Sequence, residues 1–185
     1  MQKVLLILGE LSDADVDWLA EVGEQKPAAA GTILIYEGKP ADALYILLDG
    51  TLVVSISALE GRQIARLATG EVVGEMSFID DRLPSATVQT LEDSTVLMIP
   101  RAKLTEKLTQ DVEFAARFYR SLALLLSHRL RVTVKQLGDL RTIQSQELQQ
   151  PEEPSMRLED LGLVDSAIAH TRFERLLSHL NSSAH

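Results

Sequence analysis

The spacing of apolar positions divides the chain into segments of different period. Over the first 25 residues Leu5, Leu8, Leu11, Val16, Leu19 and Val22 recur at three-to-five-residue intervals, the signature of a helix face. Ser12 followed by Asp13 offers an N-cap for a second helical piece, and Lys26-Pro27 reads as a break. From Gly31 to about Pro100 the period falls to two, with strand-like runs at 32–36, 44–48, 51–56, 63–67, 87–91 and 95–99. Most of these runs are bounded by turn pairs: Glu37-Gly38, Asp49-Gly50, Glu60-Gly61 and Thr69-Gly70. Many short strands at regular spacing predict a sandwich or a rolled barrel.

Beyond Pro100 the pattern is helical again, and from Val112 there is neither proline nor glycine until Gly138. Within that stretch Tyr119, Ala123, Leu126, Leu130, Thr133, Leu137 and Leu140 step by four and three, a heptad seam suited to pairing with another helix. Packing of the same face on the barrel is the competing reading, and the two are compatible if the first half packs and the second half pairs. Residues 149–157 form a polar linker punctuated by Pro151 and Pro154. After it Leu161, Val164, Ile168, Phe173, Leu176, Leu177 and Leu180 outline an amphipathic helix or helix pair. A tail this short cannot hold a core of its own, so it must dock on its own domain, on a dimer mate or on a different protein through residues 158–181.

Composition removes several classes of function. With 27 acidic and 18 basic residues the formal net charge is -9, which opposes attraction to a phosphate backbone; no nucleic acid partner is expected. The chain has no cysteine, so disulfides, zinc-thiolate sites and cysteine nucleophiles are excluded together. Residues 31–100 contain no histidine, so a metalloenzyme of the cupin sort lacks its strand ligands and no metal site is expected. Val4 to Leu8 is an apolar run too short for a secretory core, and no stretch approaches the roughly 18 apolar residues of a membrane span. The expectation is a cytoplasmic, non-enzymatic protein without direct membrane insertion.

One segment departs from strand-and-turn logic: Gly70-Glu71-Val72-Val73-Gly74-Glu75-Met76-Ser77-Phe78-Ile79-Asp80-Asp81-Arg82-Leu83-Pro84-Ser85-Ala86-Thr87-Val88. A glycine, an acid and a short apolar turn between two strands would place free N–H groups inside the roll, a ready anion site. Glu75 can accept hydrogen bonds from paired hydroxyls, as a carboxylate that recognises a sugar must. A satisfied structural turn is the alternative for a single Gly-Glu pair.

The whole segment resembles the phosphate-binding cassette of cyclic-nucleotide-binding domains, as in the catabolite activator family and protein kinase regulatory subunits. The match runs through Gly74-Glu75-Met76 and then Ser85-Ala86-Thr87-Val88, and extends to Gly31, Glu37-Gly38, Leu44-Tyr45-Ile46, Asp49-Gly50 and Gly70. The resemblance covers roughly residues 8–140. It implies an α+β fold: a cyclic-nucleotide-binding β-roll, jelly-roll-like, with N-terminal helices and a long C-terminal dimerisation helix. The organisation expected is a roll with its N-terminal helical segment over 1–111, the long helix over 112–148, the linker over 149–157 and the tail over 158–185.

The resemblance also implies site residues. Glu75 would accept the ribose 2′-hydroxyl, the amides around Gly74, Met76, Ser85 and Ala86 would cradle the cyclic phosphate, Ser85 could add its hydroxyl, and Ser77 belongs to the same set. Thr133, in Arg129-Leu130-Arg131-Val132-Thr133, falls where the long helix supplies a threonine to the purine. Val134 stands where a second hydroxyl from the partner subunit would be. The implied ligand is cyclic AMP, cyclic GMP or another cyclic mono- or dinucleotide; the implied assembly is a homodimer through Leu126, Leu130, Thr133, Leu137 and Leu140.

One departure bears on all of this: the family's phosphate-binding arginine should precede Ser85-Ala86, and Pro84 stands there. Losing one partner of a desolvated charge pair costs about 2 to 5 kcal/mol, roughly thirty-fold to several-thousand-fold in affinity. Arg82, two residues earlier, is the substitute candidate, though a loop arginine beside Asp80 and Asp81 is commonly a solvated surface charge. A nucleotide-responsive switch and a degenerate scaffold that binds no cyclic mononucleotide therefore both remain open. A transcription factor is disfavoured, because the short tail has low basicity and no room for a winged helix-turn-helix. Trp18 reads as a core or cap residue, Phe114, Phe118 and Tyr119 as packing between helix and barrel, and His170 and His179 as solvated surface residues.

Overall fold

Helices α1 (Gln2–Glu10) and α2 (Asp13–Val22) meet at a corner closed by a capping box: the Ser12 hydroxyl accepts from the Asp15 amide, and the Asp15 carboxylate accepts from the Ser12 amide at 2.7 Å. The computed structural model describes residues 2–80, 82–143 and 166–182. The strands that follow are β1 (Glu24–Ala28), β2 (Ile33–Ile35), β3 (Ala43–Asp49), β4 (Thr51–Ile56), β5 (Arg62–Ala68), β6 (Val72–Val73), β7 (Thr87–Thr90) and β8 (Ser94–Pro100). They form two antiparallel four-stranded sheets, ordered β1-β8-β3-β6 and β2-β7-β4-β5. The α+β roll expected from the sequence is the fold observed.

Two strands were not legible in the periodicity. Lys26-Pro27, read as a break, lies inside β1, where Pro27 sits opposite Thr95 of β8. A proline is tolerated there because β1 is the edge of its sheet and that side needs no donor. Strand β6 is two residues long, too short for any alternation to register.

The sheets build two apolar clusters. Inside the roll Ile35, Leu47, Leu52, Val73, Val88 and Val96 pack together. On the outer face of the first sheet Leu44, Ile46, Val72, Leu97 and Ile99 pack against the helices. Alternation along β3 thus sends Leu44 and Ile46 one way and Leu47 the other, and the strand reads as a nearly continuous apolar run because both its faces are covered.

Pro100 ends β8 and α3 (Arg101–Gln110) begins at once; α4 (Val112–Ile143) follows after Asp111, whose carboxylate accepts from the Phe114 amide at 2.8 Å. The inward stripe of α4 is Phe114, Phe118, Leu122 and Leu125, all fully buried. Trp18 packs edge-on against Phe114, 5.4 Å between centroids. Tyr119, expected to pack between helix and barrel, is 45% exposed, because one residue along a helix turns the side chain about 100° away from the buried stripe, and its ring meets Phe118 edge-on, 6.0 Å between centroids.

Of the receivers open to the tail, the structure has its own domain. Helix α5 (Ser166–Ser182) lies on α1 and α2 with Ala169, Phe173, Leu176 and Leu180 buried, so these four apolar side chains dock on the chain's own domain, while Ile168 stays 44% exposed. Residues 144–165, including the linker and the start of the tail, lie outside the described residues. The docking explains the run Val4 to Leu8, no member of which is more than 2% exposed: α1 is enclosed by the roll, α4 and α5 together. Charge fixes the register. Arg172 donates to the Leu8 and Gly9 carbonyls at 3.2 and 3.0 Å and to Asp13 at 2.8 Å, while Arg175 pairs with Asp17. His179, expected to be a solvated surface residue, has its Nδ1 3.2 Å from Asp17.

Phe173 is the largest buried side chain of α5. Phe173→Ala is expected to lower the unfolding free energy by about 3 kcal/mol, read from urea titrations followed by Trp18 fluorescence.

Candidate functional site

Between β6 and β7 the chain leaves the sheet through Gly74 and makes one turn of 3-10 helix, Glu75–Phe78. Gly74 has φ +89, and a Cβ there would stand 2.6 Å from the Ala43 carbonyl oxygen, so both the turn and the close approach require glycine. The Ser77 hydroxyl donates back to the Gly74 carbonyl at 2.6 Å and closes the turn. The loop returning to β7 is tied down by the Gly38 amide, which donates to the Pro84 carbonyl at 2.9 Å.

This turn and loop wall a cavity of about 400 Å³, within the size range of small-ligand sites. Gly74, Glu75, Met76, Ser77, Arg82, Ser85 and Ala86, all singled out from the sequence, line it together. Thr133 does not: its side chain is exposed and its hydroxyl donates to the Arg129 carbonyl one turn earlier on α4, at 3.0 Å. Thr133 therefore lies outside the cavity where the purine contact was expected, on the outward face of α4. Among the described residues no hydrogen bond uses the Ser85 or Ala86 amides. Arg82 is an exposed side chain that lies 3.9 Å from the Asp80 carboxylate.

Glu75 is only 3% exposed. Its carboxylate is paired with Arg129 of α4, which also donates to the Val72 carbonyl and lies 3.4 Å from Glu71. Glu71 in turn holds Lys3 of α1 at 2.5 Å, and the Val4 amide donates to the Gly70 carbonyl at 2.7 Å. A chain of alternating charges thus runs from α1 through the cassette to α4.

Arg129 was missed as a site residue. The available signal was its position: it continues the buried stripe of Phe118, Leu122 and Leu125 by one further step of four, and a charge on a buried stripe needs a buried partner.

The neighbouring His128 is buried, and its Nδ1 has no hydrogen-bond partner among the described residues. Burial pushes its pKa below the ordinary histidine value, and Lys3, Arg129 and Arg131 push the same way against the single carboxylate of Glu71. Below about pH 6.5 the unfolded chain takes up a proton that the folded chain refuses, so stability falls with falling pH through that window. Urea titrations from about pH 7 to about pH 5 are expected to show this decline in the wild type and a flatter profile in His128→Leu.

The outer face of α4 carries the predicted pairing seam. Leu126 is half-buried, Leu130 is 65% exposed, Thr133 is exposed, and Val134 beside them is 59% exposed. The side chains of Leu137 and Leu140 lie outside the described residues.

With this geometry in place, likeness to known proteins becomes interpretable. The family model for the cyclic nucleotide-binding domain matches residues 25–111. An uncharacterized NTE family protein of Mycobacterium tuberculosis is 30% identical over 120 residues, 65% of this chain and 20% of that protein. The cyclic AMP receptor protein of Thermus thermophilus is 30% identical over 123 residues, 65% of this chain and 55% of the receptor. The chain therefore spans less than two thirds of the length of these relatives. A solved cyclic nucleotide-binding domain from Methylobacillus flagellatus superimposes with a TM-score of 0.62 at 23% identity, covering 81% of this chain and 85% of that domain. Family model and fold coincide on the two-sheet roll and its cassette: residues 25–111 of this chain match the cyclic nucleotide-binding domain family and share the fold of its solved members.

Proposed function

We propose that this chain is a non-catalytic regulatory module that senses a cyclic nucleotide held between the cassette and α4, and that it pairs with a second copy along the outer face of α4. The observation that carries the proposal is the buried Glu75–Arg129 pair in the wall of the cavity, beside the unpartnered amides of Ser85 and Ala86. In this reading Glu75 accepts the ribose 2′-hydroxyl while Arg129 holds the carboxylate in place. The amides around Gly74, Met76, Ser85 and Ala86, with the Ser85 hydroxyl, take the cyclic phosphate. Ser77 is spent on closing the turn and acts through the turn's shape. Arg82 supplies the cation that Pro84 does not. The name of the Thermus thermophilus relative, a cyclic AMP receptor protein, supports cyclic AMP among the ligands, with cyclic GMP and other cyclic mono- or dinucleotides in the same class.

The second reading, a degenerate scaffold without a cyclic mononucleotide ligand, is favoured by two observations: Pro84, and the commitment of Arg129 to Glu75, Glu71 and the Val72 carbonyl. Isothermal titration separates the two. Under the sensor reading the wild type binds cyclic AMP weakly, at about millimolar concentration, Pro84→Arg tightens it about thirty-fold or more, and Glu75→Ala abolishes it. A wild type that ignores every cyclic nucleotide while Pro84→Arg gains cyclic AMP affinity establishes the scaffold.

Pairing through α4 is supported by apolar side chains that the single chain leaves uncovered at Leu130, on the seam that continues toward Leu137 and Leu140, and at Val134 beside it. Leu130→Glu is expected to move the protein from dimer to monomer in analytical ultracentrifugation at micromolar concentration, with its far-UV circular dichroism unchanged; an unchanged sedimentation coefficient removes the pairing proposal.

A further inference from the structure

We infer that the cavity recognises the sugar and anionic end of its ligand and is indifferent to the identity of the base; the inference rests on reading the cavity as a cyclic nucleotide site. Among the described residues the polar lining comes from the cassette and α4: Glu75, Ser77, Asp80, Arg82 and Ser85 from the turn and loop, and Arg129 from the helix. The strands of the roll contribute only aliphatic side chains, Ile35, Val54, Leu67, Val73 and Val88. With the cassette polar groups taken by ribose and phosphate, the base is left to rest on this aliphatic wall.

Hydrogen-bonding groups are what tell one base from another. A site built to hydrogen-bond a substrate group rejects the analogue lacking it by about 10⁴ to 10⁵, whereas an apolar pocket separates close analogues by only about 10-fold to 200-fold, through size. The amino and keto groups that distinguish adenine from guanine, and cytosine from uracil, meet no hydroxyl, amide or charged side chain on the strand wall. Thr133, the hydroxyl best placed in the sequence to do so, is outside the cavity and bonded to its own helix. Arg129 faces the cavity, but its guanidinium is engaged by Glu75, Glu71 and the Val72 carbonyl.

The test is a titration of the full chain, wild type and Pro84→Arg, with cyclic AMP, cyclic GMP, cyclic CMP and cyclic UMP. On whichever chain binds, the two purine ligands are expected to agree within about five-fold and the two pyrimidine ligands likewise. The purines should lead the pyrimidines by no more than about ten-fold, through their larger apolar surface. A preference of about a hundred-fold or more within either pair overturns the inference and leaves the cyclic nucleotide reading standing. Silence of the wild type toward all four ligands overturns that reading and the inference with it, whether or not Pro84→Arg gains binding.

Discussion

The carboxylate of Glu75 has almost no contact with water, and an ionised carboxylate survives burial only against a cation held in fixed geometry. Arg129 is that cation, and it comes from a different element, a helix that starts only after the roll is complete. The pair therefore fixes where α4 lies across the mouth of the roll. Removing Arg129 would leave the Glu75 carboxylate buried without its cation, a loss of about 3 to 5 kcal/mol, whereas Arg129 without Glu75 keeps Glu71 and the Val72 carbonyl. The interaction is thus at once a packing constraint and the organising contact of the cavity.

The same helix is held from both sides. Its inward stripe of Phe114, Phe118, Leu122 and Leu125 supplies the apolar burial, while Arg117 donates to Asp15 at 2.6 and 3.0 Å and Arg120 pairs with Glu10 at 2.6 Å. Burial alone would push the Asp15 carboxyl up. The Arg117 and Ser12 hydrogen bonds outweigh it and hold the group below the usual carboxylate range. Arg172 of α5 grips the same corner from the opposite side through the last carbonyls of α1, where cations suit the helix dipole. Acidic residues of α1 and α2 are thereby read by arginines of two later helices, which orients both around α1.

Helix α1 connects these constraints to the site. Lys3 and the Val4 amide tie its first turn to Glu71 and Gly70, at the entrance to the cassette, and its last turn lies under Arg172. It is buried on every side, so a movement of the cassette cannot be absorbed locally by solvent-facing side chains. These contacts join the cassette, α1 and α5 in one contiguous packed unit.

Much of this was determined by the sequence alone, because local rules suffice for it. Period-two alternation with glycine turns specified a sandwich or rolled barrel, the Ser12 cap specified the start of α2, and the resemblance carried by Gly74-Glu75 and Ser85-Ala86 narrowed this to a β-roll with its cassette. Where the reading fell short, the deciding energy was nonlocal. Strand β1 was hidden because only an edge position, which depends on its neighbour β8, makes Pro27 acceptable. Arg129 and Thr133 are four residues apart on one helix, and nothing local says which enters the cavity; the packing of Phe118 and Leu122 sets the rotation of α4 and so sends the arginine in and the threonine out. The tail showed an amphipathic helix without a receiver, and its seat on α1 and α2 came from charge partners more than 150 residues away in the chain, such as Asp13 and Asp17. Periodicity and turn chemistry are properties of neighbours along the chain, while pairing of buried charges is a property of neighbours in space, and only the folded arrangement brings those together.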